Sequence, residues 1–187
     1  MRIIGASLVP LVIAGCMTTN QGGYEEPLVE RIDPARYTVV VDKSFDDAWS
    51  ALVSHAASTF FAIENFEKDS GLMTLSFGSG EPGVFIDCGY WGSSQFSGNY
   101  ADYLARYYNG TLTGKMNILV KGIDDQKSEI RVNARYIFSS PPQTWAFDTG
   151  GYRTLDIGSA AAWGSGSVRT CVPTHEAEKS ILEAITD

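Results

Sequence analysis

The sequence predicts an α+β domain whose helices lie on one face of an antiparallel sheet. Three observations support this fold class: a helical apolar pattern follows Ser44, two pairs of strand-like segments each double back through a short polar turn, and a second helical pattern closes the chain. Strands that are joined by short turns pair antiparallel. Helices gathered on one face of such a sheet define the α+β class.

The first predicted elements are a strand at 37–41 and a long helix. The strand carries three consecutive valines, a composition typical of β structure. Ser44 stands in the N-cap position of the helix, with Asp47 three residues later in the capping-box position. Seven apolar residues then recur at helical spacing on one face: Phe45, Ala48, Trp49, Leu52, Val53, Ala56 and Phe60.

Two hairpins follow from paired strand patterns. The first joins residues 61–66 to residues 72–77 through a short polar turn. The second joins residues 112–122 to residues 128–138 through a charged turn. Alternation along the last of these strands predicts one polar face and one buried face, the latter made of Ile130, Val132, Ala134 and Tyr136.

The remaining internal segments carry weaker patterns. A glycine-rich loop leads into a short strand at 84–86, and a further strand is expected at 144–147. Tyrosines at helical spacing, with Asn99 as a cap and Gly110 as a stop, predict a short helix. Residues 150–166 are rich in Gly, Ser and Ala, and we expect an ordered loop there.

A final helix is predicted to close the chain. Thr174 is placed to cap it, and Glu176 and Glu178 lie near its positive end, where carboxylates are favourable. The face that this helix turns toward the core is expected to consist of Ala177, Ile181 and Ile185.

Charge and motif content exclude several classes of function. The chain has 14 basic and 22 acidic residues and a net charge of −8, so it lacks the basic surface that nucleic acids require. Its two histidines lie far apart, and neither a calcium loop nor a phosphate-binding glycine motif occurs. The sequence therefore predicts no nucleic-acid partner, no metal, no cofactor and no evident small-molecule substrate.

The first fifteen residues, MRIIGASLVPLVIAG, carry one positive charge and then a mostly apolar run, which is typical of a secretory signal peptide. The run IAGC, which ends at Cys16, resembles the bacterial lipobox. The resemblance implies that Cys16 carries diacylglycerol and an N-acyl chain such as palmitate, which together anchor stably in a membrane. Because Met17 follows rather than the aspartate that retains lipoproteins at the inner membrane, the resemblance implies an outer-membrane lipoprotein that faces the periplasm.

This interpretation divides the chain into three parts. Residues 1–15 are the predicted lipoprotein signal peptide, residues 16–36 are a lipidated N-terminus and flexible tether, and residues 37–187 are a single α+β periplasmic domain. The tether is polar and carries two glycines and two prolines.

Cysteine usage adds a constraint. Three cysteines occur, and acylation of Cys16 leaves Cys88 and Cys171 as an even pair. Secreted and periplasmic proteins fold in oxidising compartments, where such pairs form disulfides. We therefore expect one disulfide, between Cys88 and Cys171.

Residues 39–77 carry a second resemblance. They combine a capped helix containing FDDAW, a strand, and the stretch DSGLMTL. This pattern resembles a recurring unit of Gram-negative lipoproteins, as in the helix-grip C-terminal domains of the outer-membrane assembly lipoprotein BamC. The resemblance implies a helix-grip architecture and a non-enzymatic scaffold or protein-binding role in outer-membrane assembly or a trans-envelope machine, with another envelope protein as the partner.

Two alternatives remain open, a purely structural envelope lipoprotein and a cell-wall thiol hydrolase. Asp87-Cys88-Gly89 resembles part of the nucleophile stretch of NlpC-like hydrolases, which would make Cys88 the nucleophile and His55 or His175 its base. However, the residues after Cys88 do not continue as an apolar helix, and both histidines are expected at surface or cap positions. The sequence therefore favours a protein without catalytic residues.

Aromatic residues are concentrated near Cys88. Such residues either pack a disulfide or form a surface that binds a protein or a glycan, and the sequence favours packing. The possible interaction surface consists of Tyr90, Trp91, Tyr103 and Tyr107.

Overall fold

The computed structural model describes residues 23–28, 37–149, 151–153 and 170–186. This part of the chain is α+β, with antiparallel sheets, three helices and helix packing on one face of the main sheet, so the predicted fold class is confirmed. The predicted signal peptide, Cys16 and most of the predicted loop at 150–166 lie outside the described residues.

Twelve strands and three helices follow one another in the described residues. The strands are β1 (Gly23–Glu25), β2 (Thr38–Val41), β3 (Ala62–Glu67), β4 (Leu72–Ser79), β5 (Ile86–Asp87), β6 (Tyr90–Gly92), β7 (Ser97–Asn99), β8 (Thr111–Gly122), β9 (Ser128–Ser140), β10 (Gln143–Asp148), β11 (Gly151–Arg153) and β12 (Val172–Pro173). The helices are α1 (Phe45–Ser58), α2 (Tyr100–Tyr108) and α3 (Glu176–Thr186). In these parts of the chain no helix has the length and apolar character needed to cross a membrane.

Seven of the strands form the main sheet. Hydrogen-bonded neighbours follow the order β11, β10, β9, β8, β4, β3, and β2 pairs with β9 on the same edge as β10. The long central pair is β8 and β9. Both predicted hairpins are confirmed, because their strands differ from the expected ranges by at most two residues at either end.

One face of the main sheet carries the core, as the alternation in β9 predicts. Tyr136 of β9 lies opposite Gly114 of β8, which in turn lies opposite Phe77 of β4. A Cβ atom at position 114 would overlap the Phe77 ring, so glycine is required for that ring to lie over β8. The predicted buried residues of β9 are all buried: Ile130, Val132, Ala134 and Tyr136.

Helices α1 and α3 cover this face. The predicted cap of α1 is confirmed, because Ser44 Oγ accepts a hydrogen bond from the Asp47 N–H at 3.2 Å. Phe60, however, does not share the buried face of α1 as expected. The helix ends at Ser58, so Phe60 lies beyond the helical register and is 54% exposed. The side chains that the two helices bury include Ala48, Trp49, Leu52 and Ala56 from α1 and Ala177, Ile181 and Ile185 from α3.

Two smaller sheets lie beside the main one. In the first, β6 pairs with both β1 and β7, and in the second β5 pairs with β12. The expectation that Gly23–Glu25 belongs to a flexible tether is therefore wrong, because these residues form β1. A three-residue strand that forms only by pairing with a distant strand has no periodicity of its own, so its sequence carries no signal.

Two further predictions need correction. Val84 lies in a 3₁₀ turn at Pro82–Val84 rather than in a strand, because the Phe85 N–H donates to the carbonyl of Pro82 at 2.9 Å. The strand of this region is β5. Residues 151–153, predicted as loop, form β11 at one edge of the main sheet. The predicted α2 and the predicted strand at 144–147, which is part of β10, are confirmed.

The predicted disulfide is confirmed. The sulfur atoms of Cys88 and Cys171 are 2.04 Å apart, and both residues are buried. Cys88 directly follows β5 and Cys171 directly precedes β12, so the bond closes one end of this strand pair. At the other end, Thr174 donates from its N–H to the carbonyl of Phe85 at 3.0 Å. The disulfide therefore joins the start of α3 to the segment that leads into α2.

Removal of the disulfide is expected to destabilise the fold strongly. The two cysteines are 83 residues apart in sequence. The chain-entropy model assigns a closed loop of this size roughly 4–5 kcal/mol as an upper estimate. We expect the double variant Cys88→Ala, Cys171→Ala to lose about 3–4 kcal/mol of unfolding free energy in urea denaturation. Cys16→Ser is the control, since it leaves the bond intact and should unfold at the wild-type urea concentration. A double variant within about 1 kcal/mol of wild type would contradict the prediction.

Candidate functional site

The aromatic residues near Cys88 meet where α2 packs on β6 and β7, and Asn99 fixes this arrangement. Its Oδ1 accepts hydrogen bonds from the N–H groups of Ala101 at 2.9 Å and Cys88 at 3.3 Å. Its Nδ2 donates to the carbonyl of Ile86 at 2.8 Å. One side chain therefore caps α2 and ties it to the disulfide.

Asp102 holds the first turn of α2 from a second direction. Its Oδ1 accepts a hydrogen bond from the Gly83 N–H at 2.7 Å. Burial raises the pKa of Asp102, and the bond from Gly83 offsets only part of this effect. A Cβ atom at position 83 would overlap the Asp102 carboxylate, so glycine permits the contact. The helix is thus attached both to the disulfide and to the 3₁₀ turn.

A tight turn at residues 93–96 connects β6 to β7. The Ser93 N–H donates to the carbonyl of Phe96 at 2.7 Å, and Ser93 Oγ accepts a hydrogen bond from the Phe96 N–H at 3.1 Å. These paired bonds fix the turn and place the Phe96 ring beside α2, 5.5 Å from the ring of Tyr103.

Four aromatic side chains line a groove between this hairpin and α2, which we call the aromatic groove. Tyr103 is at its centre, with ring centroids 5.3 Å from Trp91 and 5.0 Å from Tyr107. The rings meet at oblique angles, an arrangement that is favourable for aromatic pairs. The aromatic side chains of the groove are Trp91, Tyr103, Tyr107 and Tyr108.

The aromatic groove is core on one side and surface on the other. Beneath it, Tyr100 is buried and packs 5.9 Å from Trp91. At the opposite end Tyr107 is 45% exposed and Tyr108 is also exposed. Tyr100 is therefore a core residue, whereas the groove itself is open to solvent. The expectation that the aromatics pack the disulfide stays a prediction.

Polar but uncharged side chains complete the groove. Together with Ser93, Ser94 and Gln95, the groove encloses a volume of about 500 Å³. A hydrogen bond with Tyr108, and then burial, raise the pKa of Tyr103 to about 12, so this tyrosine stays protonated near neutral pH. None of the described residues that line the groove is charged, and at its edge the Arg106 guanidinium lies 5.8 Å from the centre of the Tyr107 ring.

Tyr90 does not belong to the groove. Strand alternation turns Tyr90 and Trp91 to opposite faces of the small sheet. The Tyr90 hydroxyl lies 2.6 Å from Ser97 Oγ, and its ring lies against Gly92. Of the four residues predicted for an interaction surface, the structure brings together Trp91, Tyr103 and Tyr107, and leaves Tyr90 apart.

Sequence reasoning missed the polar side of the groove. Ser93, Ser94 and Gln95 separate the aromatic residues Trp91 and Phe96 within the stretch WGSSQF. That spacing matches a hairpin with a short loop, and this signal would have placed the polar residues beside the aromatics.

A separate polar cluster is buried between α3 and the main sheet. Glu178 is fully buried and accepts hydrogen bonds from the hydroxyls of Tyr136 and Thr149, the latter at 2.7 Å. His175 Nδ1 lies 3.2 Å from the same carboxylate, and its ring stacks on Tyr37. His175 directly precedes α3, and its carbonyl accepts a hydrogen bond from the Lys179 N–H at 3.0 Å, so the expected cap position is confirmed. The alternative expectation, a surface position, is wrong, since His175 is 3% exposed. Its environment depends on strands that are distant in sequence.

The hydrogen bonds of this cluster determine the protonation state of Glu178. Burial alone raises the pKa of Glu178, but the bonds from His175, Tyr136 and Thr149 outweigh burial and hold the pKa below its usual range. Burial, together with the Glu178 charge, raises the pKa of Tyr136. Near neutral pH a charged carboxylate therefore faces a protonated phenol. Because the cluster is closed to solvent, its role is to hold α3 on the sheet.

The components of the thiol hydrolase alternative have other partners in this structure. The Cys88 sulfur is bonded to Cys171, and His175 is engaged by Glu178. His55 Nε2 lies 3.0 Å from Ser180 Oγ, and burial lowers the pKa of His55. In the part of the chain that the structure describes, no group of three or more His, Cys, Asp or Glu side chains is arranged to hold a metal ion.

Comparison with protein-family models, curated proteins and solved structures returns no significant match. The resemblances to bacterial lipoproteins and to helix-grip domains therefore stay predictions.

Loss of the Glu178 charge is expected to lower stability in a pH-dependent way. The folded-state pKa of Glu178 is depressed, so its contribution is present above the unfolded pKa of about 4.3 and is lost as the pH falls through the folded value. We expect Glu178→Gln to lower the free energy of unfolding by about 2 kcal/mol at pH 7, and by clearly less at pH 3, in urea denaturation.

Glu176→Gln on the same helix is the matched control. Glu176 is half exposed and pairs with Lys179 at the surface, so its replacement should cost less than about 1 kcal/mol at either pH. Equal losses for Glu178→Gln at pH 7 and pH 3 would show that the charge of Glu178 does not stabilise the fold.

Proposed function

We propose that this chain is a non-enzymatic, lipid-anchored envelope protein that acts as a scaffold by binding another envelope protein through the aromatic groove. The groove is the observation that carries the proposal. Trp, Tyr and Arg are the residues most enriched among the hot spots of protein interfaces. The groove presents Trp91 and Tyr107 to solvent, with Arg106 at its edge.

The rigidity of the groove supports this role. Asn99 and Asp102 attach α2 at its first turn, and the bonds of Ser93 fix the hairpin that forms the opposite wall. A site that is already ordered before binding loses less conformational entropy when a partner arrives. Tyrosine and tryptophan add contact area at low entropic cost, because each has only two side-chain torsions.

The size of the groove limits what it admits. A volume of about 500 Å³ holds one or two side chains of a partner. We therefore assign it the role of an anchor pocket within a larger contact surface, as in interfaces where a few central residues dominate the affinity. Its neutral lining favours an aromatic or aliphatic anchor residue over a charged one.

Two features support the periplasmic location. The IAGC sequence ending at Cys16 supports acylation, and Met17 supports sorting to the outer membrane. The bond between Cys88 and Cys171 supports an oxidising compartment, where structural disulfides persist. In this location the scaffold would serve outer-membrane assembly or a trans-envelope machine.

Acylation of Cys16 has a direct test. In a Gram-negative host, wild-type protein should incorporate labelled palmitate and sediment with the outer membrane, whereas Cys16→Ser should lose the label because no other cysteine is available to the acylating enzymes. The measurement is gel fluorography of fractionated membranes.

Met17→Asp is the matched variant for this test. It should keep the palmitate label and move the protein to the inner-membrane fraction. Label that persists on Cys16→Ser, or a wild-type protein without label, would refute lipid anchoring at this residue.

The groove is tested by photo-crosslinking in cells. We expect p-benzoylphenylalanine at position 107 to capture a defined envelope protein, because Tyr107 lines the groove. The same probe at position 90 serves as the control, since Tyr90 is exposed to nearly the same extent, 43% against 45%, but lies on the other face of the small sheet. Tyr108→Ala should reduce the yield at position 107 by roughly tenfold, as loss of a hot-spot residue does.

Two results would count against the proposal. Equal crosslinking from positions 107 and 90 would mean that the groove is not the interface. Cleavage of muropeptides by the purified protein would instead support the thiol hydrolase.

A further inference from the structure

We propose that β3 is a docking edge, to which a partner protein adds an extended segment as a new strand, with apolar side chains on one face and basic side chains on the other. This inference rests on the protein-binding role proposed above, but it concerns a surface separate from the aromatic groove. It is carried by the exposure, the register and the charge of β3.

β3 is the last strand at one edge of the main sheet. It pairs with β4 on one side, and in the residues that the structure describes no strand pairs with its other side. All six of its residues are exposed, whereas every other main-sheet strand with described side chains buries at least one residue. Backbone N–H and C=O groups on such an edge are free to pair with another chain.

Large apolar side chains are concentrated on this edge. Phe66 is 59% exposed and Ile63 is 38% exposed, so two large hydrophobic residues of β3 face solvent. Solvent-facing apolar residues are common singly, but two on the same face of a free sheet edge are typical of an interaction site. A strand added beside β3 would cover Ile63 and Phe66.

The register gives β3 two distinct faces. Ile63 and Phe66 lie opposite Leu75 and Met73, which belong to the core face of β4. Ile63 and Phe66 are three positions apart, yet they lie on the same face because a bulge between Ile63 and Asn65 shifts the register. The outer face of β3 is polar and acidic, with Glu64 and Glu67, and the Glu64 carboxylate reaches Lys115 at 2.7 Å.

The negative charge of β3 determines which kind of segment can pair with it. A second copy of β3 paired antiparallel would bring two pairs of glutamates, Glu64 and Glu67 from each copy, onto one face, and like charges on neighbouring strands are destabilising. The net charge of −8 adds to this repulsion. A segment with Lys or Arg opposite the glutamates, and apolar residues opposite Ile63 and Phe66, satisfies both faces. The occupant is therefore an extended segment of a different protein.

The bulge at Glu64 also limits unwanted pairing. Bulges and charged residues on edge strands are devices by which proteins avoid indiscriminate strand addition. The bulge disfavours pairing of β3 with a flat strand, and the two glutamates disfavour pairing with an acidic one. A basic segment is therefore the favoured addition.

The proposal is tested by photo-crosslinking at position 66 in the full chain, followed by sequencing of the captured peptide. Val40 on β2 is the matched control, because it is a strand residue of the same sheet with the same 59% exposure. We expect position 66 to capture one segment of another protein with alternating apolar and basic residues, and position 40 to give background yield. A synthetic peptide of that segment should protect the amides of residues 62–67 from hydrogen exchange.

Two variants then test the contacts. Phe66→Lys should weaken binding of the peptide by roughly tenfold or more, as expected for an apolar interface anchor, while Val40→Lys should leave it unchanged. Replacement of the basic residues of the peptide by glutamate should weaken binding to a similar extent.

Three outcomes would overturn the inference: capture of any segment of this same chain, its own or a second copy's, capture of a segment that does not protect the β3 amides, or a yield at position 66 no higher than at position 40. Any of these with crosslinking at position 107 intact would leave the proposed function standing. Loss of crosslinking at position 107 alone would count against the groove and not against the edge.

Discussion

The bond between Cys88 and Cys171 is the constraint on which the arrangement of the molecule depends. It holds two short strands together that have too few residues to pair stably alone. On one side it positions the first turn of α3, which buries Glu178 against Tyr136. On the other side it anchors the Asn99 network and therefore α2. The disulfide thus connects the layer that carries the aromatic groove to α3, which covers the main sheet.

The parts of the fold that the sequence predicts are those with local periodicity. The face of β9 and the cap at Ser44 follow from residues that are neighbours in the chain. Two errors are local, the end of α1 before Phe60 and the 3₁₀ turn at Val84. Others involve contacts between distant segments. His175 is buried because Glu178 and Tyr37 enclose it, and β1 exists only because β6 is beside it. No local pattern contains that information, since tertiary context decides which partners a short segment meets.

The sequence predicts which residues belong to the candidate site better than it predicts how they are arranged. The concentration of aromatics near Cys88 indicated a special region, and helical spacing correctly grouped Tyr103 with Tyr107. Exclusion of Tyr90 required knowing that β6 is a strand, because alternation then separates it from Trp91. The free edge of β3 could not be predicted from the sequence for another reason. The hairpin pattern shows that a strand forms there, but only the sheet order shows that, among the described strands, none pairs with its outer side.

The short strand β1 has a consequence for distance. With Cys16 acylated as proposed, seven residue steps separate the lipid-bearing residue from Gly23, where β1 begins. Even fully extended, a segment of this length spans roughly 25 Å. Because β1 pairs with β6, which carries Trp91, the groove is confined to a shell close to the bilayer surface. On this proposal, a partner has to bind the groove within a few tens of ångströms of the lipid headgroups.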